Sequence, residues 1–222
     1  MEIKKNDIDF KYDFLGIEGI NNDIFPHNFI CCIIGKPGSG KTTLLRQLLL
    51  NPNLLYRKFD YVFIASPSIE EFPFIMNPQN ITNKFDIDWF YKSLSQIQSN
   101  THTNILIIID DFVSQIKKQQ NNPNLNTLFF NRRHIVKNAT ISLIITSQRY
   151  MSIPSSIRSC INILVVFQLT RKDILKIWEE HINLSKKTFI SLLSFDDKCS
   201  FAVCNLQDNK FFLKFDQVIF SL

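Results

Sequence analysis

The stretch "IIGKPGSGKTTLL" (residues 33–45) decides how the rest of the chain is interpreted. The chain has only five glycines, and three of them, Gly35, Gly38 and Gly40, lie inside this stretch. Their spacing follows the P-loop pattern G-x-x-x-x-G-K-T. Glycine permits left-handed backbone angles and leaves no Cβ in the way, so successive N–H groups can point at phosphate oxygens. The pattern therefore predicts a loop that holds the phosphates of a nucleotide.

The residues on either side of the loop provide the context that a P-loop needs. Residues 29–34 (FICCII) form a continuous apolar run, which is typical of a buried parallel strand. Residues 44–50 (LLRQLLL) are strong helix formers, and the positive end of that helix would face the phosphates. The predicted nucleotide-binding residues are Gly35, Pro37, Gly38, Ser39, Gly40, Lys41, Thr42 and Thr43. Lys41 is expected to reach the β- and γ-phosphates, and the Thr42 hydroxyl to bind Mg²⁺.

Length and composition limit the class of protein. The 222 residues predict one α/β domain, with a motif-bearing core at about 26–185 and a tail at about 186–222. A net charge of +5 is compatible with a polyanionic partner. Cys31 and Cys32 fall in the predicted buried strand, which favours a reducing compartment. The charged start is not expected of a signal peptide, and no apolar run approaches the roughly eighteen residues of a membrane span.

Apolar runs alternate with helix-like runs along the chain. Strands are predicted at residues 61–65, 104–109, 140–145 and 161–167, and helices at 86–98, 124–137 and 172–183, the first of them capped by Asp86 or Asp88. Residues 200–205 and 211–215 are predicted to form a β-hairpin. This order predicts a mainly parallel sheet with helices on both faces, which binds its ligand beyond the carboxyl ends of the strands.

Two further strands carry polar residues at their carboxyl ends. "ILIIIDD" (residues 105–111) has the form of a Walker B strand, in which Asp110 would hold Mg²⁺ and Asp111 would orient the attacking water. "ISLIITSQ" (residues 141–148) ends similarly, and Gln148 or Thr146 could contact the γ-phosphate or the water. The tetrapeptide NKFD (residues 83–86) matches a guanine-specificity motif, but it precedes the Walker B strand, and the one Asp-x-x-Gly (residues 13–16) precedes the P-loop. We therefore expect ATP, with Mg²⁺, rather than GTP.

With these motifs in place, the chain resembles the FtsK–HerA superfamily of P-loop ATPases. It looks most like the DNA-packaging ATPases of poxviruses, other large DNA viruses and virophages. The resemblance covers roughly residues 29–167, and its motifs are GKPGSGKT (35–42), Ser-Pro (66–67), IIIDD (107–111), FNRRH (130–134), ITSQRYMSIPSSIRS (145–159) and NILVVF (162–167). Cellular members usually end the Walker B strand with Asp-Glu, whereas this chain has Asp110-Asp111.

The resemblance implies a RecA-like core in which the strand leading to Gln148 lies between the two Walker strands. It also implies a ring of subunits that drives double-stranded DNA into a preformed capsid, in the host-cell cytoplasm and the virion, with capsid proteins as partners. A basic inner surface of the ring would follow the phosphate backbone without reading bases. Lys117, Lys118 and Lys137 make the sequence after the Walker B strand basic.

Ring ATPases of this kind complete each site with an arginine from the neighbouring subunit. Four arginines are candidates for this finger: Arg132, Arg133, Arg149 and Arg158. Arg132 and Arg133 are preferred, since they fall on the predicted helix between the Walker B strand and the strand that ends at Gln148.

Two other functions are compatible with a P-loop. One is a kinase that acts on a small-molecule or nucleoside acceptor, but no evident lid follows the strand that ends at Gln148. The other is a non-catalytic module, but its expected degraded motifs are absent from this sequence. The sequence thus favours an ATP-driven DNA translocase.

Overall fold

A computed structural model describes residues 24–26, 28–51, 54–75, 77–97 and 100–218. Of the predicted domain, residues 1–23 and 219–222 lie outside this described part, as does Gln98 at the end of one predicted helix. The strands of the described part are β1 (Ile30–Ile34), β2 (Tyr61–Ala65), β3 (Ile81–Thr82), β4 (Thr103–Ile109), β5 (Ala139–Ser147), β6 (Ile163–Val166), β7 (Ala202–Asn205), β8 (Lys210–Leu213) and β9 (Asp216–Val218). They form one sheet.

The strand order in this sheet is β3-β2-β4-β5-β1-β6-β7-β8-β9. The pairs from β3 to β6 are parallel, and those from β6 to β9 are antiparallel. β5 lies between β1, which leads into the P-loop, and β4, which carries Asp110 and Asp111 at its end. This confirms the predicted position of the strand that leads to Gln148. The predicted hairpin is present as β7 and β8, and β9 adds a third antiparallel strand that the sequence had not indicated.

Helices cover both faces of the sheet, as the alternation predicts. They are α1 (Lys41–Leu50), α2 (Ile87–Ser95), α3 (Val113–Lys118), α4 (Pro123–Phe130), α5 (Ser155–Arg158), α6 (Arg171–His181) and α7 (Lys186–Leu192). Leucines of α1 pack against one face with the alternate residues Cys31 and Ile33 of β1. Helices α2 to α7 pack against the other face, which contains Cys32 and Ile34. Because both faces are covered, the central strands consist mainly of apolar residues.

The structure corrects one predicted helix that bears on the site. Residues 124–137 do not form a single helix: α4 ends at Phe130, and a separate 3₁₀ turn spans Arg132–His134. The break is at Asn131, whose backbone leaves the helical region (φ −127°). The two preferred finger arginines therefore lie on a turn that leads into β5. Helices α3, α5 and α7 were not predicted.

The predicted cap of α2 and the predicted burial of two cysteines are confirmed. Asp86 caps α2, and its carboxylate accepts a hydrogen bond from the Asp88 N–H. Cys31 and Cys32 are fully buried, and burial raises the pKa of both thiols. None of the described helices is long and apolar enough to cross a lipid bilayer.

Candidate nucleotide-binding site

The P-loop leaves β1 at Gly35 and returns to the sheet edge as α1. The Gly35 N–H donates to the Ser147 carbonyl at 3.0 Å, which fixes the start of the loop to the end of β5. Gly38 (φ +74°) and Gly40 (φ +91°) adopt the left-handed conformation that the motif requires. Gly35 is needed for space: a Cβ there would lie 2.4 Å from Ser39 Oγ and 2.7 Å from Phe167 Cβ. Phe167, which follows β6, thus forms part of the loop's support; the sequence placed it in a family motif but gave it no function.

Lys41 is held inside the loop. Its Nζ donates hydrogen bonds to the carbonyls of Gly35 (2.8 Å) and Lys36 (3.1 Å). Burial lowers the pKa of Lys41, while the nearby carboxylates of Asp111 and Asp110 act to raise it. The lysine of the P-loop and both Walker B carboxylates are therefore within electrostatic reach of one another.

Ser39 indicates that the loop is shaped for a ligand. Its Oγ is buried and has no hydrogen-bond partner among the described residues. A buried hydroxyl without a partner costs about 1–3 kcal/mol, and a phosphate oxygen would accept its hydrogen bond. Thr42, at the start of α1, is half-buried, and Thr43 beside it is exposed. The loop residues therefore fit a nucleotide's phosphates.

Asp110 is the buried member of the Walker B pair. Its two carboxylate oxygens accept hydrogen bonds from the hydroxyls of Ser66 (2.9 Å) and Thr146 (2.6 Å). Burial raises the pKa of Asp110, and these two hydrogen bonds partly oppose that shift. Ser66 and Thr146 come from the ends of the flanking strands β2 and β5, so the sheet order creates this arrangement. The sequence placed Ser66 in a family motif but gave it no function.

Asp111 is exposed and lies next to Gln148. Its backbone is in the left-handed region (φ +54°), which is uncommon for a residue other than glycine and costs about 1–3 kcal/mol. The strained conformation is held by a hydrogen bond from the Asp111 N–H to Thr146 Oγ1 at 2.9 Å. Gln148 Nε2 donates to both Asp111 oxygens, at 3.2 and 3.1 Å. Of the two candidates on this strand, Gln148 is therefore exposed at the site, whereas Thr146 is buried and orients the carboxylates.

Arg132 is committed to the fold. Its guanidinium donates to three backbone carbonyls: Ile141 at 2.7 Å, Phe129 at 3.1 Å and Asn28 at 3.1 Å. These bonds tie the end of α4 to the beginnings of β5 and β1. These bonds argue against the expectation that Arg132 projects toward a neighbouring site, because each of its three guanidinium nitrogens already donates a hydrogen bond inside the subunit.

The other three arginines differ in their surroundings. Arg133 is exposed at the amino ends of the strands, and its Nε donates to His134 Nε2 at 3.1 Å. Arg158 is held by Glu180 and the Ile153 carbonyl, and its guanidinium lies over the Tyr150 ring. Arg149 is the one beside Asp111 and Gln148, where its side chain is 58% exposed.

The fold and site together define a class of protein. A parallel sheet with a polar-tipped strand between the P-loop strand and the Walker B strand is the arrangement of RecA-like P-loop nucleoside triphosphatases. The chain belongs to the poxvirus A32 protein family, whose sequence profile matches residues 20–201. A comparison with curated protein sequences gave no match.

Solved structures share this fold. The genome packaging NTPase B204 from Sulfolobus turreted icosahedral virus 2, in complex with ATP-gammaS, has a TM-score of 0.65 at 15% identity, over 84% of this chain and 96% of that chain. The DNA-packaging ATPase B204 from Sulfolobus turreted icosahedral virus has a TM-score of 0.62 at 14% identity, covering 85% and 98%. The pCW3 conjugation coupling protein TcpA has a TM-score of 0.54 at 14% identity, covering 86% and 59%.

Proposed function

We propose that this protein hydrolyses ATP to drive double-stranded DNA into a preformed viral capsid. The observation that carries the proposal is the meeting of Lys41, Asp111 and Gln148 at the carboxyl ends of β1, β4 and β5. A phosphate-binding loop, a water-orienting carboxylate and a polar residue that contacts it are the parts that phosphoanhydride hydrolysis needs. Membership of the poxvirus A32 protein family and the fold shared with packaging ATPases support the same function.

The residues of the loop would bind the triphosphate. Backbone N–H groups between Gly35 and Gly40 and the Ser39 hydroxyl would donate to phosphate oxygens, and Lys41 would exchange its two carbonyl contacts for the β- and γ-phosphates. Asp111 would orient the attacking water, and Gln148, which now donates to Asp111, would contact either that water or the γ-phosphate. Thr146 keeps Asp111 in place throughout, because its hydroxyl lies between both Walker B residues.

The residues present also fit a magnesium ion. Thr42 at the start of α1 and Asp110 at the end of β4 would hold it, and the Asp110 carboxylate still has acceptor capacity beyond its two hydroxyl donors. Mg²⁺ would neutralise charge on the β- and γ-phosphates. Since both hydroxyl bonds favour the ionised carboxylate, they prepare Asp110 for a cation.

We propose a ring in which Arg133 acts on the site of the neighbouring subunit. Strand β5 has nine residues, so at ~3.3 Å per residue its ends are about 26 Å apart. Arg133 lies near the amino end of β5 and its own P-loop near the carboxyl end, so Arg133 is placed to serve only another subunit's nucleotide. Its guanidinium is exposed, whereas that of Arg132 is engaged.

We also propose that core and tail work as one ATPase domain, because β7 pairs directly with β6.

The basic residues after the Walker B strand divide between two edges of the sheet. Lys117 lies on α3 beside Asp111, at the carboxyl ends of the central strands, while Lys137 precedes β5, at their amino ends. They therefore do not form the single basic surface that the sequence suggested. For the proposed motor, contact with the DNA backbone is assigned to the α3 edge, where engagement of DNA could influence hydrolysis.

The test is hydrolysis of ATP with and without duplex DNA, followed by displacement of a third strand from a DNA triplex. Stimulation by duplexes of unrelated sequence, together with triplex displacement, is expected of a translocase. Turnover only with a small phosphoryl acceptor would instead favour a kinase.

For the ring, Arg133→Ala and Lys41→Ala subunits should each be inactive alone, and mixing them should restore some activity, since mixed interfaces combine an intact loop with an intact arginine. Failure of this rescue under conditions where the subunits assemble would overturn the role of Arg133.

A further inference from the structure

A cavity of about 480 Å³ lies beside Asp111, on the α3 side of the sheet. Helix α1 packs on the other side, so the ends of β4 and β5 separate this cavity from the start of α1. Its lining includes Asp111, Ser114, Lys117, Gln148, Arg149 and Ser152. The space is open to solvent and larger than a single phosphate group.

The two cations of the lining have few partners of their own. Among the described residues, Lys117 Nζ makes no hydrogen bond or ion pair. Arg149 has a long contact to the buried Asp173 carboxylate, at 3.8 Å from its Nε. Asp173 is already satisfied by closer donors, namely Thr170 Oγ1 at 2.6 Å and the Met151 N–H at 3.1 Å. Asp173 therefore anchors Arg149 at the cavity without using up its guanidinium.

The neutral lining residues suit the same kind of ligand. Ser152 and the Gln148 amide can donate hydrogen bonds, and phosphate oxygens accept them. The Ser114 hydroxyl already donates to Gln115 Oε1 at 2.5 Å. The one carboxylate is Asp111, and it accepts hydrogen bonds from Gln148. Two cations, two neutral donors and one engaged carboxylate favour an anion with several oxygens over a cation or an apolar group.

Occupation of the cavity would act on the catalytic pair. Gln148 lines the cavity and donates its amide N–H groups to Asp111. A phosphate oxygen in the cavity would compete for those N–H groups. Asp111 would then be released to orient water, so an anion in the cavity would raise the rate of hydrolysis.

We infer that this cavity is a second phosphate site, which binds a phosphate of the DNA backbone and couples its presence to Asp111 through Gln148. The inference rests on the proposed function. The inorganic phosphate released by hydrolysis has the same chemistry, so the experiment must separate the two sources. The contact is independent of DNA sequence, since only the backbone is bound.

The experiment compares Lys117→Gln with Lys118→Gln. Both lysines are exposed and lie on α3, but only Lys117 lines the cavity. Duplex-stimulated hydrolysis is measured at increasing salt, and stimulation of hydrolysis by added inorganic phosphate is measured without DNA. For each engaged subunit, losing one phosphate contact reduces the slope of log affinity against log salt concentration by about 0.9. Between about 50 and about 200 mM salt, the affinity of Lys117→Gln for duplex DNA should therefore fall about threefold less than that of the unsubstituted protein. Thermal melting of both variants should match that of the unsubstituted protein.

Each outcome decides between sources or overturns the inference. Weaker duplex stimulation and a smaller salt slope for Lys117→Gln alone support a DNA phosphate. Unchanged stimulation by duplex DNA with weaker stimulation by inorganic phosphate assigns the cavity to the released product. Identical behaviour of the two variants in both measurements overturns the site. If the unsubstituted protein is not stimulated by duplex DNA at all, the proposed function fails, while the measurement with inorganic phosphate still tests the cavity.

Discussion

Substituting Arg132 with alanine should destabilise the protein rather than disable its chemistry. The guanidinium donates to three backbone carbonyls. The bond to the Asn28 carbonyl is exposed to solvent and contributes little to stability. Each of the other two is a bond from a charged donor, which contributes about 1.5–3 kcal/mol. The expected loss is therefore at least about 3 kcal/mol, which for a domain of this size lowers Tm by about 6–12 °C. Circular dichroism melting measures this shift directly.

Arg133→Ala is the matched control, because Arg133 is the adjacent residue and is exposed. It should melt within about 2 °C of the unsubstituted protein, as surface substitutions usually do. Arg132→Lys keeps the charge but not the planar fork, so it should melt between the two. An Arg132→Ala protein that melts normally but hydrolyses ATP about a thousandfold more slowly would refute the structural role and restore Arg132 as a finger.

Four further experiments test the nucleotide-binding site, and a fifth tests the stability of the fold. Lys41→Ala should abolish hydrolysis with a near-normal Tm, and hydrolysis at half the normal rate would contradict the P-loop assignment. Asp111→Asn should retain Mg²⁺-dependent ATP binding and slow turnover. The pKa of Asp110 is raised, so its carboxyl takes up a proton at a higher pH than an ordinary aspartate. As the pH is lowered, Mg²⁺-dependent affinity for ATP should therefore begin to fall while the pH is still above the usual carboxyl range. Gly35→Ala should lower both Tm and nucleotide affinity, since its Cβ would meet Phe167 Cβ at 2.7 Å; unchanged binding would show that the loop adapts. Burial alone would raise the pKa of Glu180, but hydrogen bonds from Arg158 and Tyr150 lower it to about 2. Glu180 therefore stabilises the fold above the unfolded carboxyl pKa, and the stability difference from Glu180→Gln should shrink as pH falls toward about 2; a constant difference in denaturant melts would exclude that linkage.

Much of the site could be predicted because its residues are specified locally. Glycine spacing determines a phosphate loop, and a run of apolar residues ending in two aspartates determines a buried strand with carboxylates at its end. Those patterns depend on backbone conformation and burial, which a short stretch of sequence controls. The positions of Lys41, Asp110 and Asp111 followed from them. The place of the strand leading to Gln148 between its two neighbours followed only from the family resemblance.

The sequence by itself determined the P-loop, the Walker B pair and the alternation that produces a covered parallel sheet. The tertiary structure alone decided what contacts those residues make, because the partners come from distant strands. Ser66 and Thr146 reach Asp110 across 44 and 36 residues, and no local pattern encodes such a pairing. It also decided between adjacent arginines: a helix that ends at Phe130 turns Arg132 toward three carbonyls and leaves Arg133 in solvent. The two arginines are adjacent in the sequence, but the hydrogen bonds from Arg132 to the Ile141 and Asn28 carbonyls exist only once the sheet has assembled.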